Sequence, residues 1–452
     1  MTRPNIHAVH RSWEREYPVM ERAQGIYLYD REGKRYLDGS GGSAVVTAIG
    51  HGVEAVPRAM YEQAQKFSFS PAHAFTHTPM LDLADLVVDL APGTLKGNSR
   101  VWLTCTGTDA TDDAVRLARQ YWVERGKPGK YQIITRWQAF HGNSISAAGY
   151  SGLVARRKMF LPMFVESPHI PPAFCYHCPF ELQYPSCDLK CARALETAIR
   201  QQGAENVAAF IAEPVVGASL GGVPAPQGYF ERVREICDRN DILFIADEVM
   251  TGWGRTGAMW AIEHWGVTPD IITSAKGVTS GYTPLALVIA RDDIWAVLEK
   301  ARSPFRAGHT FNANAVSCVG AIAAIRYLVE HNLAHNARER GQQALAGLGR
   351  LMEHHPMVGD VRGLGLMFGL EYVRDRQTRA PFPPEMHVSA LVDKAAMRLG
   401  LVTYPCSGAI DGVMGDMTLF APPLIISAAE MDELLAILDR AIGEVESSLA
   451  GT

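Results

Sequence analysis

Short, nearly continuous apolar segments alternate with segments of helical length between about residues 70 and 325, and this alternation constrains the fold most strongly. The predicted strands lie at 100–105, 131–136, 207–214, 242–249, 270–275 and 285–290. The predicted helices of this region lie at 109–122, 188–202, 227–240 and 313–330. Strands that are apolar on both faces and alternate with helices are typical of a mostly parallel α/β sheet between two helical layers. Ligands of such sheets bind at the carboxyl ends of the strands, so those ends hold the candidate functional residues.

The chain outside this central region shows a different pattern. Its predicted elements are a β-hairpin at 26–38, helices at 54–66, 333–354, 385–399 and 427–448, and a strand pair within 361–373. We therefore predict a large domain at 70–325 and a small α+β domain at 326–452. The N-terminal segment 1–69 is expected to contribute to the small domain.

The composition of the chain excludes several classes of function. The 452 residues carry a formal net charge of −5, with 47% hydrophobic and 20% charged residues, which is typical of a soluble globular protein. A mildly acidic chain without a basic stripe gives no reason to expect nucleic-acid binding. The N-terminal sequence lacks the apolar segment of a signal peptide, and no apolar run approaches the length of a membrane span. We therefore expect a cytoplasmic protein that binds neither nucleic acid nor membrane.

A cysteine-rich segment, defined by Cys175, Cys178, Cys187 and Cys191, has the spacing C-x2-C-x8-C-x3-C. Four cysteines spaced in this way are able to hold a tetrahedral metal ion. Disulfides are a second interpretation, although a cytosolic location argues against them. The third interpretation is a surface insertion with four free thiols. The two pairs lie closer together than in the usual zinc motifs, so we expect no metal here.

The turn after the strand at 100–105 suits a phosphate group. It contains Gly107 and Thr108 and leads into a helix predicted to begin near Asp109. A glycine-containing turn at a helix N-terminus offers free backbone N–H groups and the positive end of the helix dipole to an anion. An ordinary helix cap made by Thr108 explains the same residues equally well.

Three further strand ends carry side chains that suit one planar, phosphorylated ligand. Phe140 and His141 place rings after the strand at 131–136, where they either stack on a ligand or pack within the loop. Asp247 ends an apolar strand, where a buried carboxylate is costly unless it has a partner. Lys276 follows another strand, and desolvation there would lower its pKa and allow its amine to attack a carbonyl. A phosphate site, a stacking ring, a carboxylate for a pyridinium nitrogen and a lysine for an imine together indicate pyridoxal 5'-phosphate.

The chain resembles the class III aminotransferases of pyridoxal-phosphate fold type I over nearly its whole length. The most specific stretches are FIAEPVVGASLGGVPAPQGYFERVREICDRNDILFIADEVMTGWGRTG and PDIITSAKGVTSGYTPLALVIA. Shorter matches are YLDGSGGSAVVTAIGHG, FHGNSISAAGYSG, GHTFNANAVSCVGAIAAI, VRGLGLMFGLE and APPLIIS. The resemblance implies a large domain with a mostly parallel sheet of seven-stranded type, a smaller α+β domain and pyridoxal phosphate as cofactor.

The resemblance implies a role for each residue around the cofactor ring. Lys276 would bind the cofactor covalently as an imine and transfer protons during catalysis. Asp247 would bond the pyridine nitrogen and hold its proton. Phe140, with His141 next to it, would lie on one face of the ring, and Val249 would pack on the other.

The resemblance also implies a phosphate site shared between two subunits. Gly107 and Thr108 would bind the phosphate within one chain. Thr310 would reach the phosphate bound by the neighbouring subunit, so we expect a homodimer, or a dimer of dimers, with active sites at the interface. Glu213 would lie near the cofactor beside a polar or basic neighbour.

Three departures from the family pattern concern the phosphate turn, the cofactor oxygen and the substrate carboxylate. The phosphate turn reads TGTDA where relatives usually have SGSEA. Met250 replaces a glutamine that often bonds the phenolic oxygen of the cofactor. The segment 404–423 has no arginine, whereas many relatives carry one there for the substrate carboxylate.

The activity implied by the resemblance is transamination. An amino group would pass from a primary amine, or from an amino acid with a terminal (omega) amine, to a keto acid by a ping-pong mechanism through Lys276. Pyruvate is the expected acceptor because the carboxylate-binding arginine is missing from the C-terminal segment. A decarboxylating transaminase, an aminomutase and a catalytically silent cofactor-binding protein remain open as alternatives.

Overall fold

The computed structural model describes residues 7–13 and 15–450. Residues 1–6, 14, 451 and 452, which belong to the predicted segments 1–69 and 326–452, lie outside the described residues. The strands are β1 (Met20–Gln24), β2 (Tyr27–Asp30), β3 (Arg35–Asp38), β4 (Ser99–Thr104), β5 (Gln132–Arg136), β6 (His169–Ile170), β7 (Val207–Ala212), β8 (Val215–Val216), β9 (Val223–Pro224), β10 (Leu243–Asp247), β11 (Ile271–Ser274), β12 (Ala286–Arg291), β13 (Val358–Leu364), β14 (Met367–Tyr372), β15 (Leu401–Val402), β16 (Tyr404–Ile410) and β17 (Met414–Phe420).

The α-helices connect and cover these strands. They are α1 (Ala55–Lys66), α2 (Thr78–Asp89), α3 (Gly107–Glu124), α4 (Ile145–Gly149), α5 (Val154–Arg157), α6 (Lys190–Gln202), α7 (Tyr229–Arg239), α8 (Asp292–Lys300), α9 (Ala315–Glu330), α10 (Leu333–His354), α11 (Val388–Leu399) and α12 (Ala428–Ala450). Within the described residues, no helix combines the length and the apolar character needed to cross a membrane.

Seven strands form the central sheet in the order β4–β12–β11–β10–β7–β5–β6. The neighbours from β11 to β6 are parallel to one another. β12 runs antiparallel to both of its neighbours, β11 and β4. Only residues 275–285 connect β11 to β12, and a parallel pair needs a crossover of about a dozen residues or more. The prediction of a mostly parallel sheet is confirmed, with one antiparallel strand.

Helices cover both faces of the central sheet. Successive residues of each strand point to opposite faces, so they pack against different helices. In β10, Ile245 packs into a buried cluster with Leu117 of α3. Its neighbour Phe244 packs into a second buried cluster with Val233 of α7. The strands are apolar on both sides for this reason, and their carboxyl ends are the part of the sheet that is left for polar side chains.

Two smaller sheets use the two ends of the chain. The predicted hairpin at 26–38 is confirmed as the antiparallel pair β2–β3, extended by β1. β15 pairs in parallel with β3, with Leu401 opposite Leu37, so the N-terminal strands are joined to a C-terminal one. The second sheet is antiparallel in the order β13–β14–β17–β16. The domain boundaries at 69/70 and 325/326 stay a prediction.

The hairpin β16–β17 was not predicted from the sequence. Glycines interrupt its apolar alternation, and Gly408 and Gly415 have φ values of 95° and 89° that few other residues adopt. The register between these two strands also shifts between Ser407 and Ile410. The sequence signal of such a hairpin is weak, because the alternation of apolar and polar residues is interrupted where the backbone is irregular.

Candidate active site

Lys276 lies two residues beyond the end of β11, at the carboxyl edge of the central sheet. Its φ of 45° is uncommon for a residue with a side chain, and its carbonyl accepts a hydrogen bond from the N–H of Ser280 at 2.9 Å. Burial lowers the pKa of its amine from 10.5 to about 8, although the charges of Asp247 and Glu213 act in the opposite direction. The amine is therefore more often neutral near pH 7 than that of a surface lysine, as a nucleophile requires.

Asp247 is buried at the end of β10, and three groups bind its carboxylate. Its Oδ2 lies 2.7 Å from Nδ1 of His141. Its Oδ1 accepts hydrogen bonds from Thr273 Oγ1 at 3.2 Å and from the N–H of Val249 at 3.1 Å. These contacts fix the carboxylate and offset the cost of burying it.

The contact between His141 and Asp247 was not predicted from the sequence, which suggested only that the His141 ring stacks or packs. The two residues are 106 positions apart. The His141 ring is buried, and its Nε2 lies 3.4 Å from Thr135 Oγ1. Only the central sheet, in which β7 separates β5 from β10, brings these side chains together, so no local sequence signal identified the pair.

The helix α3 begins at Gly107, two residues before the predicted start near Asp109. Thr106 and Asp109 form a capping box in which Thr106 Oγ1 accepts from the N–H of Asp109 at 3.2 Å and Asp109 Oδ2 accepts from the N–H of Thr106 at 2.9 Å. Gly107 and Thr108 are therefore the first helical residues, whose N–H groups have no acceptor within the helix. The arrangement leaves these two N–H groups for an anion.

Gly107 also packs closely against Val249. A Cβ atom on Gly107 would lie 2.8 Å from Cγ1 and 3.2 Å from Cγ2 of Val249. Val249 is half-buried and follows Asp247 by two residues. The start of α3 and the residue predicted to pack on the cofactor ring are thus in contact.

Phe140 and Glu213 lie at the ends of two adjacent strands, β5 and β7. The N–H of Phe140 donates to Glu213 Oε1 at 3.2 Å, and the Phe140 ring is half-buried. Glu213 Oε2 is buried without a hydrogen bond within the described part of the chain and lies 3.7 Å from Nη2 of Arg136. Burial raises the pKa of Glu213. The basic neighbour that the resemblance implied for Glu213 is Arg136.

Thr310 lies on an exposed loop, and no hydrogen bond joins it to the other candidate residues among those described. The residue before it, His309, contacts α3 of the same chain through Asp113 Oδ2 at 3.1 Å. Phe311 follows it and meets Phe69 edge to face, with ring centroids 6.1 Å apart. Both of these phenylalanine rings are exposed.

The hairpin β16–β17 borders the loop that carries Phe140. Gln138 Nε2 donates to the carbonyl oxygens of Gly408 at 2.9 Å and Ala409 at 2.8 Å. The segment that lacks the family's arginine is therefore next to the candidate site.

Met250, the second departure from the family pattern, packs against Gly217. A Cβ atom on Gly217 would lie 2.6 Å from the sulfur of Met250. A thioether has no hydrogen to donate to a cofactor oxygen.

The cysteine-rich segment lines a narrow apolar cavity away from these residues, and its four cysteines all face that cavity. None of the eight cysteines forms a disulfide. Burial raises the pKa of Cys191 to about 11 and also raises that of Cys175. Among the described residues, no three His, Cys, Asp or Glu side chains are arranged to hold a metal ion. The absence of a bound metal stays a prediction for this segment.

The residues at the carboxyl edge of the sheet fit pyridoxal phosphate. A desolvated lysine, a buried carboxylate, a half-buried ring and a helix start with free N–H groups lie at or after the ends of four strands of this sheet. Each matches one part of the cofactor: its aldehyde, ring nitrogen, ring face and phosphate. The close contact of Gly107 with Val249 leaves no room for a side chain at the start of α3.

Comparison with known proteins agrees with this geometry. The model of the class III aminotransferase family matches residues 9–442. Aminotransferase YodT of Bacillus subtilis is 37% identical over 433 residues, which cover 96% of each chain. The diaminobutyrate–2-oxoglutarate transaminase of Halomonas elongata is 33% identical, over 95% of this chain and 91% of its own. The putrescine–pyruvate aminotransferase of Pseudomonas aeruginosa is 32% identical, with the same coverage of the two chains.

A solved structure shows the same fold with the cofactor bound. It is an amine transaminase from an uncultivated Pseudomonas species in its pyridoxal-phosphate-bound form, with 30% identity, a TM-score of 0.90 and 98% coverage of both chains. The fold is that of the pyridoxal-phosphate-dependent transaminases. The family match over nearly the whole chain, and the arrangement of the strand ends around Lys276, show that this chain belongs to the class III aminotransferases, which use pyridoxal phosphate.

Proposed function

We propose that this transaminase moves the amino group of a primary amine, or of an amino acid with a terminal amine, to a keto acid by a ping-pong mechanism. The donor becomes a carbonyl compound and the keto acid becomes an amino acid, so no external oxidant is needed. The observation that carries the proposal is Lys276, a half-buried residue. Burial lowers the pKa of its amine to about 8, and the charges of Asp247 and Glu213 act on that amine. A lysine in this setting is suited to covalent and proton-transfer chemistry.

Each residue of the site has one task in this proposal. Bound pyridoxal phosphate supplies the carbonyl carbon that carries the amino group and a ring that accepts the electron pair released with the donor's proton. Lys276 Nζ holds the cofactor and then moves that proton. Asp247, fixed by His141, keeps the proton on the ring nitrogen. Phe140 and Val249 hold the ring between them.

The phosphate end and the dimer are part of the same proposal. The N–H groups of Gly107 and Thr108 bind the phosphate, and Thr310 completes the phosphate site of the neighbouring subunit. Support for the homodimer comes from two phenylalanines exposed at the Thr310 loop: Phe69 is 49% exposed and Phe311 63%, and their ring centroids lie 6.1 Å apart. Exposed apolar groups of this size next to each other are typical of a protein–protein interface.

We further propose pyruvate as the preferred amino acceptor. The relatives do not decide this point, because one is named for 2-oxoglutarate and another for pyruvate at nearly equal identity. The argument rests on the hairpin β16–β17, which borders the site and carries no arginine. A second substrate carboxylate buried without a cation costs several kcal/mol.

The test is a panel of amine donors with each keto acid in turn. With one good donor, kcat/KM for pyruvate is expected to exceed that for 2-oxoglutarate by about tenfold, which corresponds to about 1.4 kcal/mol of transition-state binding. An equally large preference for 2-oxoglutarate would contradict the acceptor proposal. Release of CO2 from the donor, or amino transfer within one molecule without any acceptor, would contradict simple transamination.

A further inference from the structure

The keto acid's carboxylate needs a cation, and most arginines near the site already have partners. Arg136 donates to the carbonyl oxygen of Glu213 at 2.6 Å, and its side chain is 1% exposed. Arg362 donates to Asp360 at 2.6 Å and to Glu371 at 2.9 Å, and it also bonds the carbonyl of Leu220. Moving either guanidinium would leave a buried carboxylate or carbonyl without its partner, which is costly. Neither arginine is free to bind a substrate.

Arg157, on α5, is committed in the same way. Its guanidinium donates to the carbonyl oxygens of Ala148, Gly149 and Ser151. These bonds join α5 to the end of α4 and to Ser151, so α5 is held against the segment that follows Phe140. Arg157 therefore positions its neighbour, Arg156, and is not itself available.

Arg156 is the exception, because no carboxylate pairs with it among the described residues. Its guanidinium carbon lies 4.9 Å from the centroid of the Phe140 ring. Its Nη1 donates to Asn143 Oδ1 over a long 3.3 Å, and the side chain is exposed. The guanidinium thus contacts a ring, a neutral amide and the hydroxyl of Tyr404, none of which is charged, and a carboxylate would give it a stronger, charge-assisted bond.

The charge of Arg156 acts on groups of the candidate site. Burial is the main cause of the lowered pKa of Lys276, and the charge of Arg156 lowers that pKa further. On the C-terminal side, burial raises the pKa of Tyr404 on β16 and Arg156 opposes this effect. The hairpin tip also touches α5, since a Cβ atom on Gly412 would lie 2.5 Å from Val154 Cγ2. The charge of Arg156 therefore acts both on Lys276 and on the hairpin β16–β17, which itself carries no arginine.

We propose that Arg156 binds the carboxylate of the keto acid acceptor, an inference that rests on the transaminase function proposed above. A planar guanidinium presents two parallel N–H groups to a carboxylate, which a lysine ammonium does not. The contact with Phe140 holds the guanidinium next to the residue that would stack on the cofactor ring. One cation in this position matches a keto acid with one carboxylate.

The experiment separates the two halves of the ping-pong reaction. Arg156→Gln and Arg156→Lys are compared with wild type and with Lys158→Gln, which removes an exposed cation two positions away. With an amine donor that has no carboxylate, the first half-reaction of Arg156→Gln is expected to lose at least tenfold less than the second half-reaction with pyruvate. The KM for pyruvate is expected to rise at least tenfold, or about 1.4 kcal/mol. Arg156→Lys should recover part of this loss, and Lys158→Gln should behave as wild type.

A binding measurement that needs no turnover completes the test. Propionate, a monocarboxylate without a reactive carbonyl, is titrated into each holoenzyme by calorimetry. Its Kd should rise at least tenfold in Arg156→Gln, rise less in Arg156→Lys and stay at the wild-type value in Lys158→Gln. An unchanged pyruvate KM and propionate Kd would overturn the role of Arg156 while leaving the transaminase proposal intact. Equal losses in both half-reactions would overturn it too, because they indicate general damage. If wild type transfers no amino group to any keto acid, the proposed function itself fails.

Discussion

At the residue scale, the reactivity of Lys276 comes from burial, since the nearest charges act against it. The carboxylates of Asp247 and Glu213 favour the ammonium form, yet the pKa of the amine falls to about 8. The sequence indicated this outcome, because Lys276 stands among small and apolar residues at a strand end. It gave no indication of how Asp247 is held, because its partner His141 is distant in sequence.

Attachment of pyridoxal phosphate to the apoenzyme should therefore follow the titration of Lys276. Below the pKa, the neutral fraction grows tenfold with each pH unit, so the initial rate of attachment should rise with pH and level off above about 8. An ordinary lysine would continue to rise to about pH 10.4. Borohydride trapping at short times across this range measures the rate, and Lys276→Ala should trap no cofactor at any pH. A rate that keeps rising to pH 10 would show that the amine is not desolvated.

Asp247→Asn should remove most turnover while the cofactor stays bound. The amide lacks the charge that holds a proton on the ring nitrogen, and one such electrostatic contact is worth on the order of 10²–10³ in kcat. Glu248→Gln is the matched control. Glu248 is buried next to Asp247, but it accepts hydrogen bonds from the N–H groups of Ala261 at 3.0 Å and Ile262 at 2.8 Å. That variant should lower Tm with little change in kcat, and near-wild-type kcat in Asp247→Asn would refute the role of Asp247.

At the element scale, the strands and helices of the central region were predictable because their apolar patterns are long and regular. The start of α3 was predicted two residues late, since the capping box places Gly107 inside the helix. The antiparallel direction of β12 was not predicted, because apolar runs do not show strand direction. The hairpin β16–β17, which borders the site, was missed because its glycines interrupt the pattern.

Gly107→Ala should weaken cofactor binding through the start of α3. The added Cβ atom would lie 2.8 Å from Val249 Cγ1, so either the helix start or Val249 must move. We expect the Kd for pyridoxal phosphate to rise at least tenfold with little change in far-UV circular dichroism. Gly349→Ala, in α10 with no atom within 4 Å of the added methyl, is the control and should stabilise the protein by up to about 1 kcal/mol. Equal cofactor affinity in both variants would exclude the close contact as a constraint.

At the scale of the whole molecule, the pairing of β15 with β3 joins the N-terminal strands to the C-terminal part of the chain. The sequence predicted this association from a change in pattern near residues 69 and 325. It did not predict the register, in which Leu401 lies opposite Leu37, because strand partners so far apart leave no local signal. Assembly between subunits leaves even less signal within one chain, so Thr310 is the residue whose role most needs a direct test.

Mixing two defective variants tests whether Thr310 serves the partner's site. Thr310→Ala should weaken cofactor retention, and Lys276→Ala should abolish turnover. If the phosphate site is shared, a heterodimer of the two has one site with both defects and one site with neither, so mixing should restore up to half of the wild-type activity per heterodimer. The alternative is that Thr310 serves the site of its own chain. In favour of it, the neighbouring residue His309 lies 3.1 Å from Asp113 in α3 of the same chain. If Thr310 serves its own chain, each site keeps one defect, and mixing with confirmed subunit exchange restores no activity beyond that of Thr310→Ala.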